Sequence, residues 1–370
     1  MSPERLQVSL AILDLTDPKN GLHVINLAIE KIYNCLVAVP GWPIPEIKRS
    51  HPVTTTVKNY DRLLFPADNA GRSSRYTRYV SDELILRTHT SEMIPELLDE
   101  LPAETDDYLV MCPGICYRRD VVDKTHCAEP HQMDIWRITK NIIRLERPDL
   151  LKMIDSILST LLPGMTYRVN ETTHPYTING LEVEVLRNNG EWLELLECGE
   201  AHPEILRNSG LNPENYSGLA MGIGLDRLAM LIKSIDDIRL LRSEDSRIKK
   251  QMANLSPYQL VSKYPLIRQD MSVSVSLETN EEDICESLKD ALGIDSEVIE
   301  EITITSETPY EALPVKAIER LGIRPDQKNL LIRVILRSPE RSLTHEEANE
   351  MRNKMYRTVD QSVTGGYIGK

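Results

Sequence analysis

Between Pro113 and Asp134 the chain reads PGICYRRDVVDKTHCAEPHQMD, which crowds Arg118, Arg119 and Lys124, His126 and His131, and four carboxylates into one short run. Three chemistries are open to such a run. Cys112 and Cys116, followed by His126, Cys127 and His131, supply enough nitrogen and sulfur for a tetrahedral zinc site, although the spacing matches no common finger or ribbon. A solvated charged loop accounts for VVDKTHCAE but not for the two ends of the stretch. On an extended strand Cys116, Arg118 and Asp120 share one face, as do Gln132 and Asp134 on the returning segment. Two strands joined by a charged loop would set an arginine and two hydrogen-bonding side chains over a common surface, which suits a planar, bidentate hold on a phosphate.

The rest of the chain must position that surface. At 370 residues it is long enough for about two domains, and 41% hydrophobic with 27% charged residues is ordinary for a soluble globular protein. A net charge of −14 argues against a protein that coats nucleic acid by bulk electrostatics, while leaving room for a local basic patch. No apolar run reaches the roughly 18 residues that span a bilayer, and MSPERLQVSL lacks the pattern of a secretory signal, so a protein off the membrane is expected. Six cysteines do not read as a disulfide scaffold, which points to a reducing cytoplasm. A single phenylalanine, Phe65, stands against fourteen tyrosines.

Apolar positions in GLHVINLAIEKIYNCLVA (21–38) fall on one helical face, ended by Pro40, Pro43 and Pro45. LEVEVL (181–186) and EWLELLE (191–197) flank Asn188-Asn189-Gly190 as a hairpin, and GIGLDRLAMLIK (222–233) reads as a Gly-initiated helix. From Ser256 onward the pattern is strand (271–277), helix (281–292, closed by Gly293), strands (298–306 and 328–338), and a helix opened by the capping box Thr344 to Glu347 and running to about 361. The tail GGYIGK leaves room for a short last strand. This is the order of a split βαβ, ferredoxin-like domain. The expected organisation is a helical extension over 1–49, a catalytic domain over 50–255 and the ferredoxin-like domain over 256–370, an α+β fold class.

The charged stretch resembles motif 2 of a class II aminoacyl-tRNA synthetase of the phenylalanyl type, whose pattern is close to YRRDxxDxTHxxxFHQxE. NYDRLLFP (59–66) and LILRTHTSEM (84–93) are similar to that family's motif 1 region and the element after it, EWLELLECG (191–199) to its WLEVLGCG strand, and GLAMGIGLDRLAMLIKSIDDIRL (218–240) to its motif 3. SKYPLIRQDMSV (262–273) and RSPERSLTHEEAN (337–349) resemble its ferredoxin-fold anticodon-binding domain. The likeness is collinear over about 15–361 and is that of the single-chain, organellar-like form, without a separate β chain. It implies an antiparallel sheet core flanked by helices.

The resemblance implies adenylation of an amino acid by ATP with Mg²⁺ and its transfer to tRNA, phenylalanine being the substrate it suggests. In it, Arg118 holds the α-phosphate and the amino-acid carboxylate, Arg227 clamps the ATP tail, and Glu194 serves the nucleotide end with the metal. Thr125, His126 and Cys127 fall where the motif 2 loop touches ATP, and Ser91, Gln132 and Asp134, with His89 close by, where the polar end of the amino acid is bound. The family's Phe-Pro-Phe is His174-Pro175-Tyr176 here, its FHQ is Pro130-His131-Gln132, its next Glu is Asp134, and its GCG is Glu197-Cys198-Gly199. Ala220 at the ring end is kept, and Met221 stands beside it. Residues 256–370 hold 14 Lys and Arg against 20 Asp and Glu, yet Arg333, Arg337, Arg341, Arg352 and Arg357 are candidates for one tRNA-binding face. Two alternatives stand beside this expectation: a paralogue that activates a more polar amino acid for a tRNA or another acceptor, and a non-catalytic tRNA-binding protein.

Overall fold

The computed structural model describes residues 1–119, 123–141, 144–244, 246–259 and 264–361. Asp120 and the GGYIGK tail, on which the sequence reading set a strand face and a last strand, lie outside the described residues. The chain divides into two compact units. The first comprises 1–118, 129–235 and 250–258, and the second 119–128, 236–249 and 259 onward.

Nine strands belong to the first unit: β1 (Glu46–Ile47), β2 (Val53–Thr55), β3 (Leu84–Leu86), β4 (Asp107–Ile115), β5 (His131–Lys140), β6 (Tyr167–Glu171), β7 (Thr177–Leu186), β8 (Trp192–Ala201) and β9 (Tyr216–Gly224). Seven of them form one sheet in the order β1-β4-β5-β9-β8-β7-β6, antiparallel throughout except that β1 runs parallel to β4, while β2 and β3 pair separately. The central strands are buried on both faces. On β5, Met133 and Ile135 alternate with Asp134, Trp136 and Ile138, all buried, so each face has its own cover.

One cover is helical. Helix Val24–Val37, capped by His23 and Asn26, packs against helices Arg147–Leu161 and Leu225–Lys233, which in turn pack on the sheet. On the other face Leu63, Met93, Ile94, Leu98, Ile205 and Leu206 close over Trp136, Ile138 and Ala220 as a small core at one end. The rest of that face carries the candidate site.

The expected hairpin forms with Gly190 in the left-handed region, at φ +86°. The motif 3 helix starts later than expected. Gly222 and Gly224 finish β9, where Gly222 pairs with Asp134 and Glu197 as edge-on neighbours, and the helix runs from Leu225. Strand pairing wins here because Met221 and Ile223 are needed on the helix-covered face of the sheet.

The second unit holds β10 (Ile267–Ser276), β11 (Ile299–Pro309) and β12 (Gln327–Leu336), with β12 central and antiparallel to both. Helices Glu281–Leu292 and His345–Val359 supply Ile284, Leu288, Met351 and Met355 to a core with Val273, Val275, Ile332 and Val334. This smaller sheet with its helices is the split βαβ-like part of an α+β fold. An additional helix, Val315–Leu321, lies between β11 and β12. It buries none of its side chains, so no apolar periodicity announces it.

Candidate active site

The site face is laid out by strand register. Asp134 on β5 lies beside Cys112 on β4 and Gly222 on β9, and Gly222 lies beside Glu197 on β8, which pairs with Glu182 on β7. One row along, Trp136, Ala220 and Gly199 are neighbours. Simple alternation would send Glu194 and Glu197 to opposite faces. A bulge at Leu195, where Glu184 pairs with Glu194 while Val183 pairs with Leu196, restores Glu194 to the face of Glu197, Glu182 and Glu184.

Asp134 is the anchor of one end. Thr90 Oγ1 and Ser91 Oγ each donate to its carboxylate at 2.7 Å, and Trp136 Nε1 lies 3.4 Å away. Burial pushes its pKa up to about 6 against those three donors, with the charge of Glu92 adding to the rise. Gln132, two residues before it on the same face, accepts from Cys116 Sγ at 3.7 Å. His89 stacks on Phe65 with ring centroids 5.5 Å apart, and its Nδ1 has no partner. Burial, and then the charge of Arg118, push its pKa down to about 3, so the ring is neutral at physiological pH.

Arg118 is fixed by Nε donating to Thr88 O at 2.9 Å and by its backbone bridge to Thr77. Arg227, in the first turn of its helix, donates through Nη1 to Glu194 O at 3.0 Å and lies 3.3 Å from Glu194 Oε2. A buried pair stands behind Arg118's segment. Arg87 Nε donates to Ile115 O at 2.7 Å and Nη1 to Ser50 Oγ at 3.0 Å, while Glu92 accepts from Ser50 and Thr54.

Aromatic rings wall the other end. Tyr176 lies 6.3 Å from Trp136, 6.1 Å from Phe65 and 6.1 Å from His174, centroid to centroid. Burial raises its phenol pKa, as do the charges of Asp134 and Glu197, against a hydrogen bond with Ser91. His174 Nε2 is 2.9 Å from Glu197 Oε1. Burial disfavours the imidazolium, yet the bond to Glu197 and the field of Glu197, Glu182 and Glu194 outweigh it and raise the pKa. Thr177 Oγ1, buried next to Gly199, has no hydrogen-bond partner. Ala220 and Met221 are both buried on β9, but Met221 faces the helices, away from Ala220, by strand alternation.

The structure thus brings His89, Ser91, Arg118, Gln132, Asp134, His174, Tyr176, Glu194, Ala220 and Arg227 into the first unit around one sheet face. Thr125, His126 and Cys127 belong to the second unit. There Asp123 closes a turn, accepting from Thr125 N at 2.6 Å and His126 N at 2.8 Å, with His126 Nδ1 also at 2.8 Å. The arginines proposed for tRNA are mostly engaged. Arg333 pairs with Asp270 at 2.8 Å, Arg337 with Glu300 at 2.9 Å and Arg341 with Glu347 at 2.7 Å, Arg352 reaches Gln269, and Arg357 is exposed in the last turn of its helix.

Of the ligands weighed for zinc, His131 is fully buried with Nε2 accepting from Leu15 N–H at 3.1 Å and Nδ1 at 3.1 Å from Asp226. Burial pushes the Cys116 thiol up to about 12 and raises that of Cys112 as well, away from the thiolate a metal takes. Among the described residues no three His, Cys, Asp or Glu side chains are grouped to hold a metal ion. Sequence reasoning missed Thr90, Trp136 and Glu182. Trp136 was within reach by parity from Asp134, and Glu182 by the alternation of LEVEVL, whereas Thr90 has no signal beyond adjacency to Ser91.

Residues 8–252 match the family described as tRNA synthetases class II core domain (F). The chain is 32% identical over 356 residues to a phenylalanine–tRNA ligase, chloroplastic/mitochondrial, of Arabidopsis thaliana, covering 92% of this chain and 77% of that protein. It is 33% identical over 250 residues to the phenylalanine–tRNA ligase alpha subunit of Acaryochloris marina, covering 66% of this chain and 72% of the subunit. The corresponding alpha subunit of Aeromonas salmonicida is 32% identical over 231 residues, 62% of this chain and 68% of the subunit. With the core family matching residues 8–252, about two thirds of the chain, and a phenylalanine–tRNA ligase 32% identical across 92% of it, the chain belongs to the class II tRNA synthetases, on their phenylalanyl branch.

Proposed function

We propose that this chain activates an amino acid with ATP and transfers it to tRNA. The observation that carries the proposal is the gathering of two arginines, Arg118 and Arg227, and an acidic strand face around a buried, hydrogen-bonded Asp134. Activation joins a carboxylate to the α-phosphate and expels pyrophosphate, so positioning and charge stabilisation do most of the work. Arg118 stabilises the charge that grows at the α-phosphate. Arg227, held on Glu194, clamps the terminal phosphates. Asp134, Ser91 and Gln132 hold the amino acid's ammonium, and the neutral ring of His89, with a vacant Nδ1, lies among them.

The residues fit Mg²⁺ brought with ATP. Burial and the like charges of Glu194, Glu184 and Glu197 raise the pKa of Glu182, so a cation is welcome on this face. Mg²⁺ takes one or two carboxylates together with phosphates and waters, and Glu194 would hold it. When bound, it neutralises phosphate charge.

The relatives' names give phenylalanine as the amino acid, and the Arabidopsis protein supports the single-chain form, since the match runs through both units. No described helix is long and apolar enough to cross a membrane. In our reading the second unit is an anticodon-binding domain of the ferredoxin type, with Arg333, Arg337, Arg341 and Arg352 exchanging their internal partners for phosphates and the exposed Arg357 joining them, and the protein works in the cytoplasm. A catalytic role is favoured over a tRNA-binding remnant because a binder has no need of the Arg227–Glu194 arrangement. Charging of total tRNA with labelled amino acids by the purified full chain tests the proposal. Acid-precipitable label dependent on ATP supports it, and its absence for every amino acid refutes it.

A further inference from the structure

We infer that the His174–Glu197 pair selects an amino acid whose side chain ends in a hydrogen-bond donor, rather than an unsubstituted phenyl ring. The inference rests on the adenylation reading above and names the substrate class of that same site. Asp134 on β5 and Glu197 on β8 flank Gly222 in one row, two strand spacings apart, about 10 Å between backbones. A Cβ added at Gly222 would meet nothing nearer than Glu197 O at 4.0 Å, so the floor between the two carboxylates is open. An amino acid anchored by its ammonium at Asp134 and laid across that floor brings the end of its side chain to His174 and Glu197.

What it meets there is polar. His174 takes one oxygen of Glu197 at 2.9 Å, while the Glu197 side chain keeps 38% of its surface accessible and has a second oxygen to offer. A pair that served only to fill the pocket would be covered. Glu182 and Glu194 share the face with Glu197, three carboxylates against one imidazole, so a donor is preferred to an acceptor. The unpartnered Thr177 hydroxyl adds a further group that an apolar ring leaves unsatisfied. The aromatic wall of Tyr176, Phe65 and Trp136 remains, so a flat side chain carrying a donor fits best.

ATP–pyrophosphate exchange by the full chain, driven in turn by each of the twenty standard amino acids, tests this. The expected result is a donor-bearing amino acid with kcat/KM at least about 100-fold above phenylalanine. His174→Phe with Glu197→Gly should shift that ratio toward phenylalanine by about 100-fold. A parent that prefers phenylalanine overturns the inference, as does an unchanged ratio in the folded double variant. Should the double variant not fold, Glu197→Gln decides: a loss of about 10-fold for the preferred amino acid, with phenylalanine unaffected, supports the inference, and equal effects on both overturn it. Exchange with no amino acid at all instead overturns the adenylation reading on which it rests.

Discussion

Replacing Gly222 by alanine separates room in the fold from room for a ligand. Its φ is not in the positive region, and the added Cβ meets only Glu197 O, at 4.0 Å. Alanine in a strand interior is favoured over glycine by about 0.5–1 kcal/mol through backbone entropy, so Tm should hold or rise. The same methyl group stands in the path of an amino acid lying across β9. Overpacking of that kind costs about 1–3 kcal/mol, which is about 5- to 150-fold in kcat/KM. Gly114→Ala supplies the contrast. Its Cβ would fall 2.1 Å from Nη2 of Arg87, whose Nε is held on Ile115 O at 2.7 Å. That side chain has nowhere to retreat, and the variant should lose stability by about 1–3 kcal/mol or more. Thermal denaturation and exchange kinetics on both variants read the two effects. Gly222→Ala with the parent's Tm and the parent's kcat/KM would refute the placement of the ligand, and a Tm loss matching that of Gly114→Ala would refute the open floor.

Asp134, with its pKa pushed up to about 6 from 3.8 by burial, is more readily protonated folded than unfolded. Its contribution to stability is therefore full below about pH 4 and lost as pH rises through about 6, roughly 3 kcal/mol in all. Urea midpoints from pH 4 to 8 should show this slope in the parent and not in Asp134→Asn; parallel slopes would count against it. Because an ammonium binds the ionised carboxylate, KM for the amino acid should fall about tenfold per unit as pH approaches 6 from below and level off above it. A flat KM across that range contradicts the role. Buried Lys233 donates to Gln251 O at 2.6 Å and Asn254 Oδ1 at 3.1 Å, so Lys233→Met should lose about 1–3 kcal/mol in urea denaturation while exchange per folded molecule stays at the parent's level.

The parts of this protein that could be read from sequence are those governed by local periodicity. The alternation on β5 set Gln132 and Asp134 on one face, and Thr344 with Glu347 opened the last helix, as Thr344 Oγ1 accepting from Glu347 N at 3.1 Å bears out. What stayed hidden depends on non-local geometry. No pattern in EWLELLECG foretells the bulge at Leu195 that turns Glu194 to the site, since alternation alone sends it away. Gly222 and Gly224 carry the ambiguity of glycine before a helix, which sheet pairing resolves in favour of β9. The helix Val315–Leu321 has Pro314 and Gly322 as its boundaries but no buried face, so periodicity passes over it. The pairing of Arg333 with Asp270 and of Arg337 with Glu300 is likewise tertiary, joining residues up to 63 positions apart.

Amino-acid-dependent ATP–pyrophosphate exchange in the parent and in Arg118→Ala and Arg227→Ala tests the central claim most directly. If the two arginines act on ATP from this sheet face, each variant loses a charge-assisted contact made in the transition state, about 2–4 kcal/mol, or roughly 30- to 1,000-fold in rate. The account predicts losses in that range with the fold intact. Parent-like rates in both variants, against a parent that exchanges, would contradict it.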